Sequence, residues 1–104
     1  EKPMSDKPVF AIYCKDKPNS ASIRAQNIHL HRAYLGATPT RILLAGPLLS
    51  EDRSQMIGSL FVIEAEDLAQ AEAFNAQDPF QGLGLWASID VVPFAVARHG
   101  FQAA

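Results

Sequence analysis

The sequence predicts an α+β domain, one four-stranded antiparallel sheet carrying two helices, and three observations predict it. Apolar runs rich in β-formers at residues 9–14, 42–49, 59–65 and 86–97 read as strands. Between the first two strands, and again between the last two, lies a stretch with helical spacing and its own start and stop signals. The order is therefore strand, helix, strand, strand, helix, strand. Two βαβ halves on one sheet form the ferredoxin-like pattern.

The first strand, VFAIYC, follows Pro8 and is apolar on both faces. A polar turn at residues 15–20 holds Pro18 and leads into the first helix. Asn19, Ser20 and Ser22 each offer the side-chain acceptor that an N-cap supplies. Ile23, Leu30 and Tyr34, with Asn27, Ala33 and Ala37, fall on one helical face, and Gly36 and Pro39 end the helix. RILLAGPLL, residues 41–49, is the densest apolar run and supplies the second strand. Pro47 has no N–H for a ladder, so the strand is expected to break beside a cleft there, by a bend or bulge, or to lie at an edge. Residues 50–58 read as a polar turn, and residues 59–65 return as the third strand. Asp67-Leu68-Ala69-Gln70 is an acidic capping box opening a helix that runs to Gln77. Asp78-Pro79 stops it, because the residue before a proline is pushed out of the α region. Residues 80–85, with Gly82 and Gly84, read as a loop, and Pro93 interrupts the last strand.

The 104 residues suffice for one domain with its own core. The expected layout is a tail over 1–8, the domain over 9–97 and a C-terminal tail over 98–104. Met4 reads as a natural start, with Glu1–Pro3 left over from expression, and EKPMSDKP lacks the apolar stretch of a signal peptide. A net charge of −2 gives no electrostatic reason to expect nucleic acid or an anionic membrane surface. No run reaches the roughly 18 to 20 apolar residues of a membrane span. Cys14 is the only cysteine, which excludes an internal disulfide and a thiolate metal cluster. The cytoplasm is the expected address. Two helices cover one face of such a sheet, yet Phe10 and Ile12 alternate with Val9 and Ala11, and Phe61 and Ile63 with Leu60 and Val62. The second face needs a cover, and a second copy is the economical one, so a homodimer with sheet facing sheet is expected.

His29-Leu30, Tyr34-Leu35, LLAGPLL at 43–49, GSLFVIEAED at 58–67, AEAF at 71–74 and Asp78-Pro79-Phe80 together resemble the YciI-like (YCII-related) family. The resemblance runs from Val9 to Val96. It implies the ferredoxin-like protomer of the dimeric α/β barrels, an architecture similar to that of muconolactone isomerases. One branch of the family is implied to remove chloride from chlorinated hydroxyquinol-type rings. The family's site histidine and aspartate match His29 and Asp78. This chain departs from the family's Arg-Pro-x-His window, which here reads Gln26-Asn27-Ile28-His29. With that arginine goes the family's basis for an anion-binding role at this place.

Taken by themselves, the residues point the same way. His29 lies about 100° from Leu30 on the helical wheel, at the flank of the apolar face. An imidazole there would reach a pocket between helix and sheet and exchange protons near neutral pH. Asp78 would orient it and favour the imidazolium; its other role is to terminate a helix before Pro79. Gly46, Pro47, Ser59 and Phe80 are taken as flanking a small-molecule ligand, although a glycine at 46 or 58 equally permits a bulge. Arg24, about 140° from His29, points elsewhere, and Arg41 reads as a solvated charge. His31 lies about 160° from His29, so the two share no metal, and the chain lacks HExxH and cysteine-cluster spacings. Neither metal nor cofactor is expected. Tyr13 and Trp86 read as core or cavity wall, and Cys14 as a buried strand thiol. Two functions remain open: a cofactor-free elimination, dehydrochlorination or isomerisation of a cyclic or conjugated compound through His29 and Asp78, or a non-catalytic module that holds a metabolite or dimerises.

Overall fold

A computed structural model describes residues 7–101; the readings of Met4 and of the extreme termini lie outside it. The elements follow the expected order, with β1 at Val9–Asp16, α1 at Ala21–Ala37, β2 at Ile42–Leu49, β3 at Met56–Glu64, α2 at Leu68–Ala76, α3 at Pro79–Gly82 and β4 at Trp86–Phe94. All neighbours in the sheet are antiparallel and stand in the order β2-β3-β1-β4, the ferredoxin-like topology. The central strand β1 puts Phe10, Ile12 and Cys14 inward, where they join Phe61 and Ile63 of β3, Ala71 and Phe74 of α2, and Phe80, Leu85 and Trp86. Asn75 Nδ2 donates to Cys14 Sγ over 3.5 Å.

Local signals explain most of the element ends. Ser20 is the N-cap of α1, but its hydroxyl donates to the Lys17 carbonyl instead of accepting from the first turn. Asn19 precedes it at φ 59°, a left-handed turn that asparagine tolerates. The capping box of α2 forms in a shifted version: the Asp67 carboxylate accepts from Gln70 N, while Gln70 Oε1 accepts from Glu66 N, one residue before the N-cap.

Three expectations are corrected. Residues 80–85 do not form a plain loop, because Asp78 accepts from Phe80 N and Pro79 enters at the first helical position, which folds one turn of helix, α3. Pro47 does not break β2. The pairing runs in register through Ala45↔Phe61, Gly46↔Leu60, Pro47↔Ser59 and Leu48↔Gly58, and the irregularities fall at Leu43 and Ile57 instead. The edge alternative holds, since β2 is an outer strand and an edge tolerates a residue without a donor. Pro93 likewise leaves β4 continuous, paired with Phe10 on the opposite edge.

The second face of the sheet is apolar and largely uncovered. Tyr13, expected in the core or a cavity wall, stands there 42% exposed, near Leu60 and Val92 and in the company of Leu44 and Phe94. Among the described residues no helix is long and apolar enough to cross a membrane.

Candidate active site

The face that α1 buries differs from the apolar one expected. Arg24 and His31 are its buried residues, and Ile28 and Leu35 flank them in the spacing 24, 28, 31, 35 of a single helical stripe. Leu30, expected inward, is 43% exposed, and His29 beside it is exposed as well. Apolar count alone misplaces the helix by about a third of a turn, because its buried stripe contains two ionisable side chains. Each has a carboxylate against it, which satisfies the polar group that burial takes from water.

His31 meets Asp78. Its Nδ1 stands 2.6 Å from Asp78 Oδ2, and the two side chains are 11% and 1% exposed. The other carboxylate oxygen, Oδ1, accepts from Phe80 N at 2.9 Å, so α3 fixes the orientation of Asp78. The Phe80 ring lies nearly parallel to the imidazole, 4.4 Å between centroids, and the Phe61 ring closes on it edge-on at 5.9 Å. A carboxylate only accepts, so Nδ1 carries the proton toward Asp78. Nε2 has no hydrogen-bond partner among the described residues, and the His31 side chain lines the neighbouring cavity. The pairing read from sequence, His29 with Asp78, is therefore corrected: His31 holds that place, two residues along the helix.

Arg24 forms the second buried pair. Its Nε and Nη2 donate to the two oxygens of Asp16 at 2.7 and 2.9 Å, and both side chains are almost fully buried. Nη2 also donates to the Gly58 carbonyl and to Ser59 Oγ, and the guanidinium lies 4.9 Å from the Phe80 ring centroid. Asp16 is the inward residue at the end of β1, just where the pairing with β4 shifts register. Gly58 is required, since a Cβ there would collide with the Cys14 carbonyl. No such demand exists at Gly46, where a Cβ would meet open space.

The two pairs stand at one wall of a cavity of about 210 Å³ between α1 and the edge strand β2. Arg24, His31 and Arg32 face it with Ser59, and Ile28, Leu35, Pro47 and Met56 supply apolar surface. Gly46, Pro47 and Ser59 line the cavity beside His31, while Phe80 sits behind the histidine as its stacking partner. Arg24 and His31 are the candidate site residues that sequence reasoning passed over. They are seven residues apart, two full helical turns, on a stripe whose apolar members Ile28 and Leu35 were the available signal. Elsewhere, burial pushes the Cys14 thiol up from 9.0 to about 12, and burial first, then the Asp78 charge, raises the Tyr34 phenol.

Comparison with known proteins gives this cavity a context. Residues 9–95 match the model of the YCII-related domain. The chain is 31% identical to protein YciI of Escherichia coli O6:H1 over 93 residues, covering 83% of this chain and 95% of that one. It is 32% identical to a Haemophilus influenzae protein, covering 82% and 94%. Among solved structures it is similar to the 5-chloro-2-hydroxyhydroquinone dehydrochlorinase TftG of Burkholderia phenoliruptrix, in complex with 2,5-dihydroxybenzoquinone. That match has 35% identity and a TM-score of 0.75, covering 88% of this chain and 95% of that one. A candidate antibiotic biosynthesis monooxygenase of Bacteroides thetaiotaomicron shares the fold alone, at 10% identity and a TM-score of 0.56 over 93% and 95% of the chains. With a family model spanning most of the domain and relatives above 30% identity along nearly their whole length, this chain belongs to the YCII-related family.

Proposed function

We propose that the protein is an enzyme acting on a small cyclic or conjugated organic compound, with His31 and Asp78 moving a proton and no cofactor taking part. The observation that carries this is the buried 2.6 Å contact between Nδ1 and Asp78 at a cavity wall. With Nδ1 tied to the carboxylate, Nε2 accepts a proton from an acidic O–H or C–H of the bound compound, and Asp78 stabilises the imidazolium that results. In an elimination, the bonding electrons left behind form the new double bond as chloride departs with its own pair. In an isomerisation, Nε2 returns the proton to a different atom. The dehydrochlorinase activity of the similar Burkholderia protein favours elimination.

The test is turnover of 5-chloro-2-hydroxyhydroquinone, followed by chloride release, in the protein and in Asp78→Asn. That variant keeps the carboxylate's shape and removes its charge. A loss of about 10²-fold or more is expected of an acid–base pair. Full activity in the variant would sink the pair, and binding without turnover across a panel of ring compounds would favour the non-catalytic module. We also propose that the exposed apolar sheet face, with Tyr13, Leu44, Val92 and Phe94, closes against a second copy. Sedimentation at micromolar concentration should then give about twice the chain mass, since obligate interfaces bury about 2,000 Å² or more. A monomer would refute it.

A further inference from the structure

The cavity carries an unbalanced charge, and its source is one residue. Three cationic or protonatable side chains face the space, Arg24, His31 and Arg32, and no carboxylate does. Two of the three are compensated from behind: Arg24 by both oxygens of Asp16, His31 by Asp78. Arg32 is exposed and takes part in no ion pair among the described residues. It follows His31 in sequence and stands one turn beyond Ile28, lining the same cavity.

An arginine in this setting differs from an ordinary surface charge. Much of the rest of the wall is apolar, from Ile28, Leu35, Pro47 and Met56, so a bound ring finds few competing polar partners there besides Arg32. The volume, about 210 Å³, admits one substituted six-membered ring, given that an engineered cavity of about 150 Å³ in another protein takes benzene. A ring held in this space with its reacting atom at His31 lies in the same cavity that Arg32 lines.

We propose that Arg32 determines specificity in this cavity, selecting ring compounds that carry an anionic oxygen substituent over their neutral counterparts. The proposal rests on the reading of this cavity as the substrate site, and deepens it by naming the charge the substrate bears. A planar guanidinium pairs with a carboxylate through two parallel hydrogen bonds, so the preference includes geometry as well as charge.

The test measures binding, by calorimetry at neutral pH, of 2,5-dihydroxybenzoate and of the uncharged 2,5-dihydroxybenzamide. The two share a ring, two hydroxyls and a planar substituent. The native protein should bind the carboxylate about tenfold more tightly, as a charged hydrogen bond is worth. The preference should vanish in Arg32→Gln, survive in part in Arg32→Lys, and shrink with added salt. Equal affinity for the two probes in the native protein, an undiminished preference in Arg32→Gln, or no binding of either probe would overturn the proposal. Asp78→Asn separates it from the reading on which it rests. If that variant turns over normally while the preference disappears with Arg32, the proton-transfer role fails and the specificity role stands. If turnover collapses in Asp78→Asn while Arg32→Gln keeps the preference, the reverse holds.

Discussion

The two βαβ halves of the sheet use the same position in the fold for opposite purposes. In the second half, α2 lays Ala71, Phe74 and Asn75 against the sheet, and only Asn75 is polar. It sits close, and Phe74 meets the Phe61 ring edge-on at 5.8 Å. In the first half, α1 turns Arg24 and His31 inward, each held by a carboxylate, and a cavity remains between the helix and β2. An apolar face can close on the sheet without specification of individual partners. A face of buried ionisable side chains closes only around defined hydrogen-bonded pairs, so it fixes nitrogen and oxygen positions at the expense of density. The halves are bridged at the candidate site: Asp78 comes from the second half and His31 from the first.

The largest expected effect breaks this contrast on the side of stability. Asp16→Asn removes the charge opposite Arg24 and leaves a buried guanidinium uncompensated, a loss of about 3–5 kcal/mol. Phe74→Ala in the other half should lose a similar amount, about 3–5 kcal/mol, by opening a cavity. Chemical denaturation measures both. The halves then separate on function, because the first change disturbs the cavity wall and the second leaves the His31–Asp78 contact in place. If Asp16→Asn proves neutral, the ion pair is not what holds α1 to the sheet.

Next in size is the difference between two neighbouring histidines. His31→Gln should lower turnover about 10²-fold or more, as loss of a general base does, while the exposed His29→Gln leaves it within about twofold. Equal losses in both would mean that the helix face seen here is not the one that works.

The smallest effects are in the pH dependence of stability, and they sharpen the contrast between core and surface. The Cys14 thiol, raised by burial from 9.0 to about 12, favours its protonated form in the folded chain. Its contribution is therefore full below pH 9 and lost as pH rises through about 12. Asp52, in the turn between β2 and β3, accepts from Ser54 N and from the hydroxyls of Ser54 and Ser50, which lower it from 3.8 to about 2. Its contribution is full above pH 3.8 and disappears as pH falls through about 2. Thermal melts across pH should show a shallower alkaline slope in Cys14→Ala, the raised Tyr34 phenol keeping the remainder, and a shallower acid slope in Asp52→Asn, the second change being slight because that turn is exposed.

The chain's own sequence determined the order of elements, the capping box at Asp67, the stop at Asp78-Pro79 and the inward set of Phe10, Ile12, Phe61 and Ile63. These follow from interactions between residues a few positions apart, and alternation along a strand leaves one assignment once the inner face is apolar. It also brought Asp78, Gly46, Pro47 and Ser59 to notice through motifs that stay contiguous. The sequence did not decide which histidine faces inward. On α1 the apolar residues spread broadly enough to allow the helix to turn either Leu30 or His31 toward the sheet. What selected His31 was the position of Asp78, 47 residues away on another half of the fold, and of Asp16 at the end of β1 opposite Arg24. A buried ionisable side chain is stable only beside a hydrogen-bonding partner, and a partner that distant is brought into contact by tertiary structure alone.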